Sequence, residues 1–192
     1  MVKNRGTLYV ISGPSGVGKG TICRQLVEKR DDLSVSVSTT TRKPRTEDKD
    51  GVTYFFKTEE QFKQMIEQDK FLEWAVYNRN YYGTPVDAVN EKLEKGEDVI
   101  LEIEVQGALK VMEKCKDAVS IFIAPPNEET LYIRLKGRGT ESEEEIKNRV
   151  EAAKAELMQK QKYDYIVVND VLETAVCQIE NIMKNQKEND VK

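Results

Sequence analysis

The chain contains no histidine. That one absence removes Ser-His and Cys-His nucleophile pairs, histidine general bases and histidine metal sites together. Cysteine is scarce: Cys23, Cys115 and Cys177 stand far apart, odd in number and without a CxxC pair. Neither a zinc site nor a dithiol redox centre is indicated, and the three read as small buried helix residues. Long hydrophobic runs are missing too. The apolar segment after Met1-Val2-Lys3-Asn4-Arg5-Gly6 is far too short for a signal-peptide core or a membrane span. The expectation is a cytoplasmic chain with no membrane partner. Excess positive charge is also lacking, since the net charge is -4 and the pI is near 5.2. A nucleic-acid partner would ask for the opposite balance. No internal repeat or low-complexity segment stands out.

What is present is an ordinary globular composition, 192 residues with 33% charged and 39% hydrophobic. That length buries one good core and lets small lobes sit on it as insertions, so a single domain is expected. Residues 7–12 form a short β-rich run, followed by a glycine-rich loop and a helical stretch over 20–30 with Ile22, Leu26 and Val27 on one face. Buried runs recur at 99–105, 118–124 and 165–168, each followed by an amphipathic segment of helix length. Strands alternating with helices predict an α/β fold with a parallel sheet flanked by helices. The helix over 85–95 has Thr84 as N-cap, Pro85 in its first turn and Gly96 as its stop.

Two stretches break the alternation. Residues 34–83 read as an inserted mixed β/α lobe with a short helix over 59–69. Residues 137–142 place Arg138 between Gly137 and Gly139, then open a long helix with a Ser142/Glu145 capping box, as a mobile helical lid over 126–159 would. That helix puts Ile146, Val150, Ala153 and Leu157 on one stripe, with Glu145 and Arg149 as an i,i+4 pair. The remaining core is 1–33, 84–125 and 160–192, and the charged tail after Lys184 is expected to fray.

Gly13-Pro14-Ser15-Gly16-Val17-Gly18-Lys19-Gly20-Thr21 lies between predicted strand and predicted helix, the setting that a GxxxxGK[ST] phosphate loop requires. Its glycines let successive backbone N–H groups curl around phosphate oxygens, the helix start adds a positive dipole end, and Lys19 reaches the outer phosphates. Gly20 follows the lysine directly, so a magnesium-facing hydroxyl falls to Thr21 or is replaced by water. In the inserted lobe, Arg42 and Arg45 stand three apart beside the hydroxyls of Ser38, Thr39, Thr40 and Thr41. That pattern suits a monophosphate. Glu102 and Glu104 lie two apart on an otherwise apolar run and call for cations or donors nearby.

Taken in order, the phosphate loop, Ser38-x-Thr40-Thr41-Arg42, Gly51-Val52-x-Tyr54-Phe55-Phe56, Tyr81-Tyr82-Gly83-Thr84, Leu101-Glu102-Ile103-Glu104-x-Gln106-Gly107, Gly137-Arg138-Gly139-Thr140 and Val168-Asn169-Asp170 resemble the guanylate kinase family across nearly the whole chain. The resemblance implies a P-loop NTPase sheet with a GMP-binding lobe over 34–83. It also implies ATP-dependent phosphorylation of GMP, and of dGMP, with Mg2+ as cofactor. Arg42, Arg45, Tyr54 and Tyr82 would hold the GMP phosphate, and Glu73 would read guanine by accepting from its N1–H and 2-amino group. Ser38 and Thr84 would bond the guanine O6 or its neighbours.

The family usually has aspartate where this chain has Glu102 and Glu104, so their division of labour stays open: Glu104 is placed on guanine and Glu102 towards magnesium. Arg134, Arg138 and Arg149 would close over the ATP phosphates and adenine, and Asn169 would lie near the ATP base. Lys19, Arg42, Arg134, Arg138 and Arg149 would be the catalytic cations. The expected course has ATP and GMP on opposite sides of a cleft that closes over them and excludes water. The acceptor oxygen is already ionised, so no general base is needed, which suits a histidine-free chain.

Two rivals remain in view. One is a non-catalytic phosphopeptide-binding module, which usually loses the lysine that stands here as Lys19. The other is a P-loop kinase for another monophosphate or a sugar phosphate, which the Ser38, Glu73 and Thr84 set disfavours. ATP and GMP are thus the expected partners, and the chain is expected to be a monomer or homodimer.

Overall fold

In chain order the elements are β1 (Leu8–Ser12), α1 (Lys19–Glu28), β2 (Leu33–Val35), β3 (Thr39–Thr40), β4 (Phe55–Phe56), α2 (Glu59–Glu67), β5 (Phe71–Tyr77), β6 (Asn80–Pro85), α3 (Val86–Glu94), β7 (Asp98–Glu102), α4 (Val105–Lys114), β8 (Val119–Ala124), α5 (Glu128–Lys136), α6 (Glu143–Leu157), β9 (Tyr165–Val168) and α7 (Leu172–Asn189). The computed structural model describes residues 5–77, 79–136 and 143–189. The chain divides into two units, Met1–Val10 with Asp32–Val119 and Ile11–Asp31 with Ser120–Lys192. The α/β class read from the alternation of strands and helices is present, with a parallel sheet and a second, mixed sheet whose strands run from Thr39 to Pro85, past the lobe boundary expected at 83.

In the first unit β2 pairs in parallel with β7, Leu33 opposite Asp98 and Val35 opposite Ile100, and the other neighbour of β7 is β1. Asp98 is buried on this core strand, and it accepts the Thr7 N–H at 2.9 Å, the kind of donor a buried carboxylate requires. The second sheet runs β4-β3-β6-β5. Thr40 stands opposite Phe56 on one side and Tyr82 on the other, and the β5–β6 hairpin sets Glu73 opposite Thr84.

Helix α2 starts on a capping box, with Thr58 N–H on Gln61 Oε1 at 3.0 Å and Gln61 N–H on Thr58 Oγ1 at 3.1 Å. Its fully buried Phe62 stacks on Phe71 with ring centres 4.4 Å apart and also meets Tyr81 at 5.3 Å. Truncating such a ring to alanine costs about 3–5 kcal/mol, so this aromatic cluster is what holds the lobe's sheet to its helix.

In the second unit β8 lies beside β1 and pairs in parallel with β9, from Ile121 opposite Tyr165 to Ala124 opposite Val168. Asp164 clasps the two strands: its Oδ2 accepts from Ser120 N–H at 2.8 Å and Ser120 Oγ at 2.6 Å, while Ser120 Oγ accepts from Asp164 N–H at 2.9 Å. Helix α7 buries Ala175, Val176, Ile179 and Met183. It continues to Asn189, past Lys184, where charge suggested fraying. Met183 in the core and Gln186 Nε2 donating to the Tyr165 hydroxyl at 3.0 Å tie down its last turns.

Two further boundaries differ from the sequence expectation. The strand expected over 99–105 ends at Glu102, because Val105, Ala108 and Val111 are buried at helical spacing and α4 begins at Val105. Thr84 does not cap α3. Pro85, with extended backbone, is the N-cap, and the Thr84 hydroxyl is committed to Glu73 instead.

Candidate functional site

Residues 13–18 join β1 to α1, and the loop ends at Gly18, the N-cap of α1, with φ 92° and ψ 21°. This left-handed backbone strains any residue with a Cβ, and here a Cβ would also stand 2.7 Å from Asn169 Nδ2. Asn169 is buried and donates that same Nδ2 to the Val17 carbonyl at 2.7 Å, so the turn is held from the end of β9. The first turn of α1 carries no acidic residue, which leaves its N–H groups and dipole end suited to an anion. Lys19 Nζ folds back over the loop to the carbonyls of Gly13 at 2.6 Å and Pro14 at 3.1 Å.

Other cations reach the same loop. Arg149 of α6 donates Nη2 to Ser15 Oγ at 2.5 Å. Arg134 of α5 donates to the carbonyl of Asn169 at 3.0 Å and more weakly to that of Asp170 at 3.5 Å. Thr21 is exposed on α1. Lys19, Arg134, Arg149 and Asn169 therefore form one group around the loop, while Arg138 lies outside the described residues, as do Ser142 and its capping box with Glu145.

The first unit holds the other polar groups. Arg42 Nη2 contacts Asp48 Oδ2 at 2.8 Å, Nη1 donates to the Lys43 carbonyl at 2.9 Å, and the guanidinium lies over the Tyr54 ring at 5.3 Å and the Phe56 ring at 5.8 Å. Tyr54 and Tyr82 meet edge-on at 6.0 Å. The hydrogen bond to Asp48 is the main reason that the Arg42 pKa lies above its ordinary value. Arg45 is exposed, but its backbone N–H is bound to Asp48 Oδ2 at 2.7 Å.

In the same unit, Glu73 is 9% exposed and its carboxyl accepts the Thr84 hydroxyl at 2.8 Å. Burial pushes its pKa up; the Thr84 hydroxyl and Lys110 pull it down, and Glu104 adds to the rise. A Cβ on Gly107 would stand 2.9 Å from Glu73 Oε2, so a side chain there would require the carboxylate to shift. Glu104 is the N-cap of α4, with no capping bond from its side chain. Ser38 is half-buried and its carbonyl accepts from Phe55 N–H at 2.9 Å, while Glu102 is exposed at the end of β7.

A nucleotide-type phosphate loop in one unit and an arginine-tyrosine-carboxylate lobe in the other can be compared with known proteins, and the family model described as Guanylate kinase matches residues 5–186. The chain belongs to the guanylate kinase family. The guanylate kinase of Caldanaerobacter subterraneus subsp. tengcongensis is 55% identical over 186 residues, covering 97% of this chain and 90% of that protein. The guanylate kinase of Halalkalibacterium halodurans is 52% identical over 183 residues, covering 95% and 90%. Among solved structures, guanylate kinase from Anaplasma phagocytophilum superposes with TM-score 0.75 at 33% identity, covering 97% of this chain and 88% of that one. Shikimate kinase from Bacteroides thetaiotaomicron, at 14% identity and TM-score 0.51, shares the fold alone. Guanylate kinases are nucleoside monophosphate kinases, so this chain is a phosphotransferase of that class. Among the described residues no helix is long and apolar enough to cross a membrane.

For this guanylate kinase family member, sequence reasoning passed over two residues that the geometry brings forward, Asp48 on Arg42 and Lys110 near the Glu73 carboxylate, and named Gly107 only within a motif, without its approach to Glu73. Asp48 had a readable signal, an acid three residues beyond Arg45 in a turn where Asp48 N–H returns to the Arg45 carbonyl at 3.1 Å. Lys110 had none, and the motif that contains Gly107 does not reveal its neighbour, because both depend on α4 packing against β5.

Proposed function

We propose that this member of the guanylate kinase family transfers the terminal phosphoryl group of ATP to GMP, and equally to dGMP, giving ADP and GDP or dGDP. The observation that carries the choice of guanine is Glu73, a buried carboxylate oriented by Thr84 in the same unit as Arg42, Tyr54 and Tyr82. Ionised, it accepts from the guanine N1–H and 2-amino group, with Glu104, Ser38 and Thr84 completing the contacts. Adenine offers no such donor pair and would leave a buried charge unpaired. Arg42 and Arg45 hold the GMP phosphate by charge, and the Tyr54 and Tyr82 hydroxyls donate to it.

The loop from Gly13 to Thr21 cradles the ATP phosphates through backbone N–H groups and Lys19. Arg134, Arg138 and Arg149 neutralise charge as the phosphoryl group moves, and Asn169 supports the loop beside the ATP base. The attacking GMP phosphate oxygen is ionised at neutral pH, so the side chains orient and neutralise rather than move a proton. The Thr21 hydroxyl and the Glu102 carboxylate are each of the oxygen-donor type that magnesium takes, directly or through water, since it keeps waters and phosphate oxygens and needs no all-protein cage. When bound it would neutralise phosphate charge.

A coupled ADP-release assay tests this with ATP, magnesium and each of GMP, dGMP, AMP, CMP and UMP. Turnover with GMP and dGMP well above that with AMP, CMP and UMP is expected. Equal turnover with AMP would defeat the guanine assignment, and none with any acceptor would favour a binding module.

A further inference from the structure

Asp48 is an acid to which the proposed mechanism gives no task. Its side chain is 8% exposed and that of Arg42 16%, so this ion pair is shielded rather than a loose surface contact. One oxygen, Oδ2, serves both arginines of the Arg42-x-x-Arg45 pair. It meets the Arg42 guanidinium at 2.8 Å and accepts the Arg45 backbone N–H at 2.7 Å. The turn is closed in the other direction by Asp48 N–H on the Arg45 carbonyl at 3.1 Å. The backbone N–H of Arg45 is the foremost reason that the Asp48 carboxyl pKa lies below its ordinary value, with the bond to Arg42 contributing.

Two roles are open to such a carboxylate: it could occupy the phosphate's place and leave when GMP arrives, or it could hold Arg42 where the phosphate needs it. An occupant should be tied mainly to the arginine head that it blocks. Asp48 is tied to the backbone through both its side chain and its own N–H, and would stay in place without Arg42. Arg42 meanwhile is fixed by the Lys43 carbonyl and the face of Tyr54, and a guanidinium has five N–H donors, more than these contacts use. A long side chain immobilised in advance loses less freedom on binding an anion.

We infer that Asp48 is a positioning residue for the monophosphate: it holds the Arg42 guanidinium over Tyr54 and shapes the Arg45 turn, so that both are set before GMP binds. This rests on the proposed reading of Arg42 as a phosphate-holding group. The test uses the full chain and measures, by calorimetry, the affinities of GMP and of guanosine, which lacks the phosphate, alongside kcat, the KM values and the thermal midpoint. Asp48→Asn keeps an acceptor for the Arg45 N–H while removing the charge. It should weaken GMP about tenfold, the scale of one charged hydrogen bond. Guanosine affinity, the KM for ATP and the thermal midpoint should stay put. Asp48→Glu should recover most of the loss, and Asp48→Ser carries the same expectation as Asn should Asn fail to fold.

GMP bound as tightly as by wild type, or more tightly, would overturn the inference, the latter marking Asp48 as an occluding group. An equal loss for guanosine and GMP would also overturn it, by showing a general loosening of the lobe. Arg42→Ala separates the two levels. If it leaves GMP affinity intact, the phosphate reading itself fails. If it weakens GMP while Asp48→Asn does not, only the role of Asp48 falls.

Discussion

In the proposed reading the phosphate loop and the 34–83 lobe both bind anions, yet they use opposite materials. Around the loop the working groups are main-chain N–H donors at the start of α1, shaped by glycine and braced by Asn169 on the Val17 carbonyl. In the lobe they are side chains delivered by cross-strand register: Thr40 opposite Tyr82 and Phe56, Glu73 opposite Thr84. A main-chain site is damaged by adding atoms, whereas a side-chain site is damaged by removing them. The reason is that no substitution other than proline removes a peptide N–H, though added atoms can displace it, while a carboxylate or guanidinium sits at the end of a rotatable arm.

Mutations break or sharpen that contrast. The largest effect is expected for Lys19→Ala, which removes the cation that follows the loop directly: kcat should fall about 10²–10³-fold with GMP affinity unchanged, as judged by single-turnover rates and GMP titration. A loss confined to KM for ATP would instead make Lys19 a ground-state binder.

Next comes Glu73→Gln, for which kcat/KM with GMP should drop about a hundredfold and the preference over AMP should shrink, since one mispaired buried group is worth 1–3 kcal/mol or so. The same carboxyl gives a pH signature. Its pKa lies above the ordinary 4.5, and guanine needs the ionised form, so GMP affinity should decline on acidification while the pH is still above 4.5. For folding the sign is reversed. A raised folded-state pKa gives stability that is full below 4.5 and is lost as pH rises through the folded-state value, so Glu73→Gln should flatten that part of the stability curve of the free protein.

Gly18→Ala adds one methyl at φ 92° against Asn169 and should weaken ATP about thirtyfold while sparing GMP, measured as separate binding isotherms. Equal losses of both nucleotides would blur the division between the two materials. The smallest effect belongs to Tyr54→Phe, which deletes a hydroxyl but keeps the ring under Arg42. A rise of about three- to tenfold in KM for GMP is expected, with kcat nearly unchanged.

The contrast also explains what could be read in advance. The loop was legible because its geometry is local: strand, glycines, lysine and helix follow one another within Leu8–Glu28, and spacing alone carries the meaning. The lobe was legible as chemistry but not as construction. Arg42, Tyr54 and Tyr82 are singled out by their place in a motif, yet that Tyr54 lies beneath Arg42 and edge-on to Tyr82 depends on β3, β4 and β6 pairing. Thr84 shows the limit most clearly. By local rules it is a good helix cap before Pro85, and it becomes the partner of Glu73 only because the β5–β6 register sets the two side chains opposite one another.

By itself, then, the sequence determined the alternating α/β plan, the phosphate loop, the family and the absence of any histidine chemistry, because each follows from residues close in the chain or from composition. The tertiary structure decided which hydroxyl meets Glu73, that the first turn of α4 comes up to the Glu73 carboxylate at Gly107, that Asn169 braces the Val17 carbonyl, and that Asp48 holds Arg42. Those contacts join residues on different strands and turns. Their energies depend on burial and distance, which spacing along the chain does not specify.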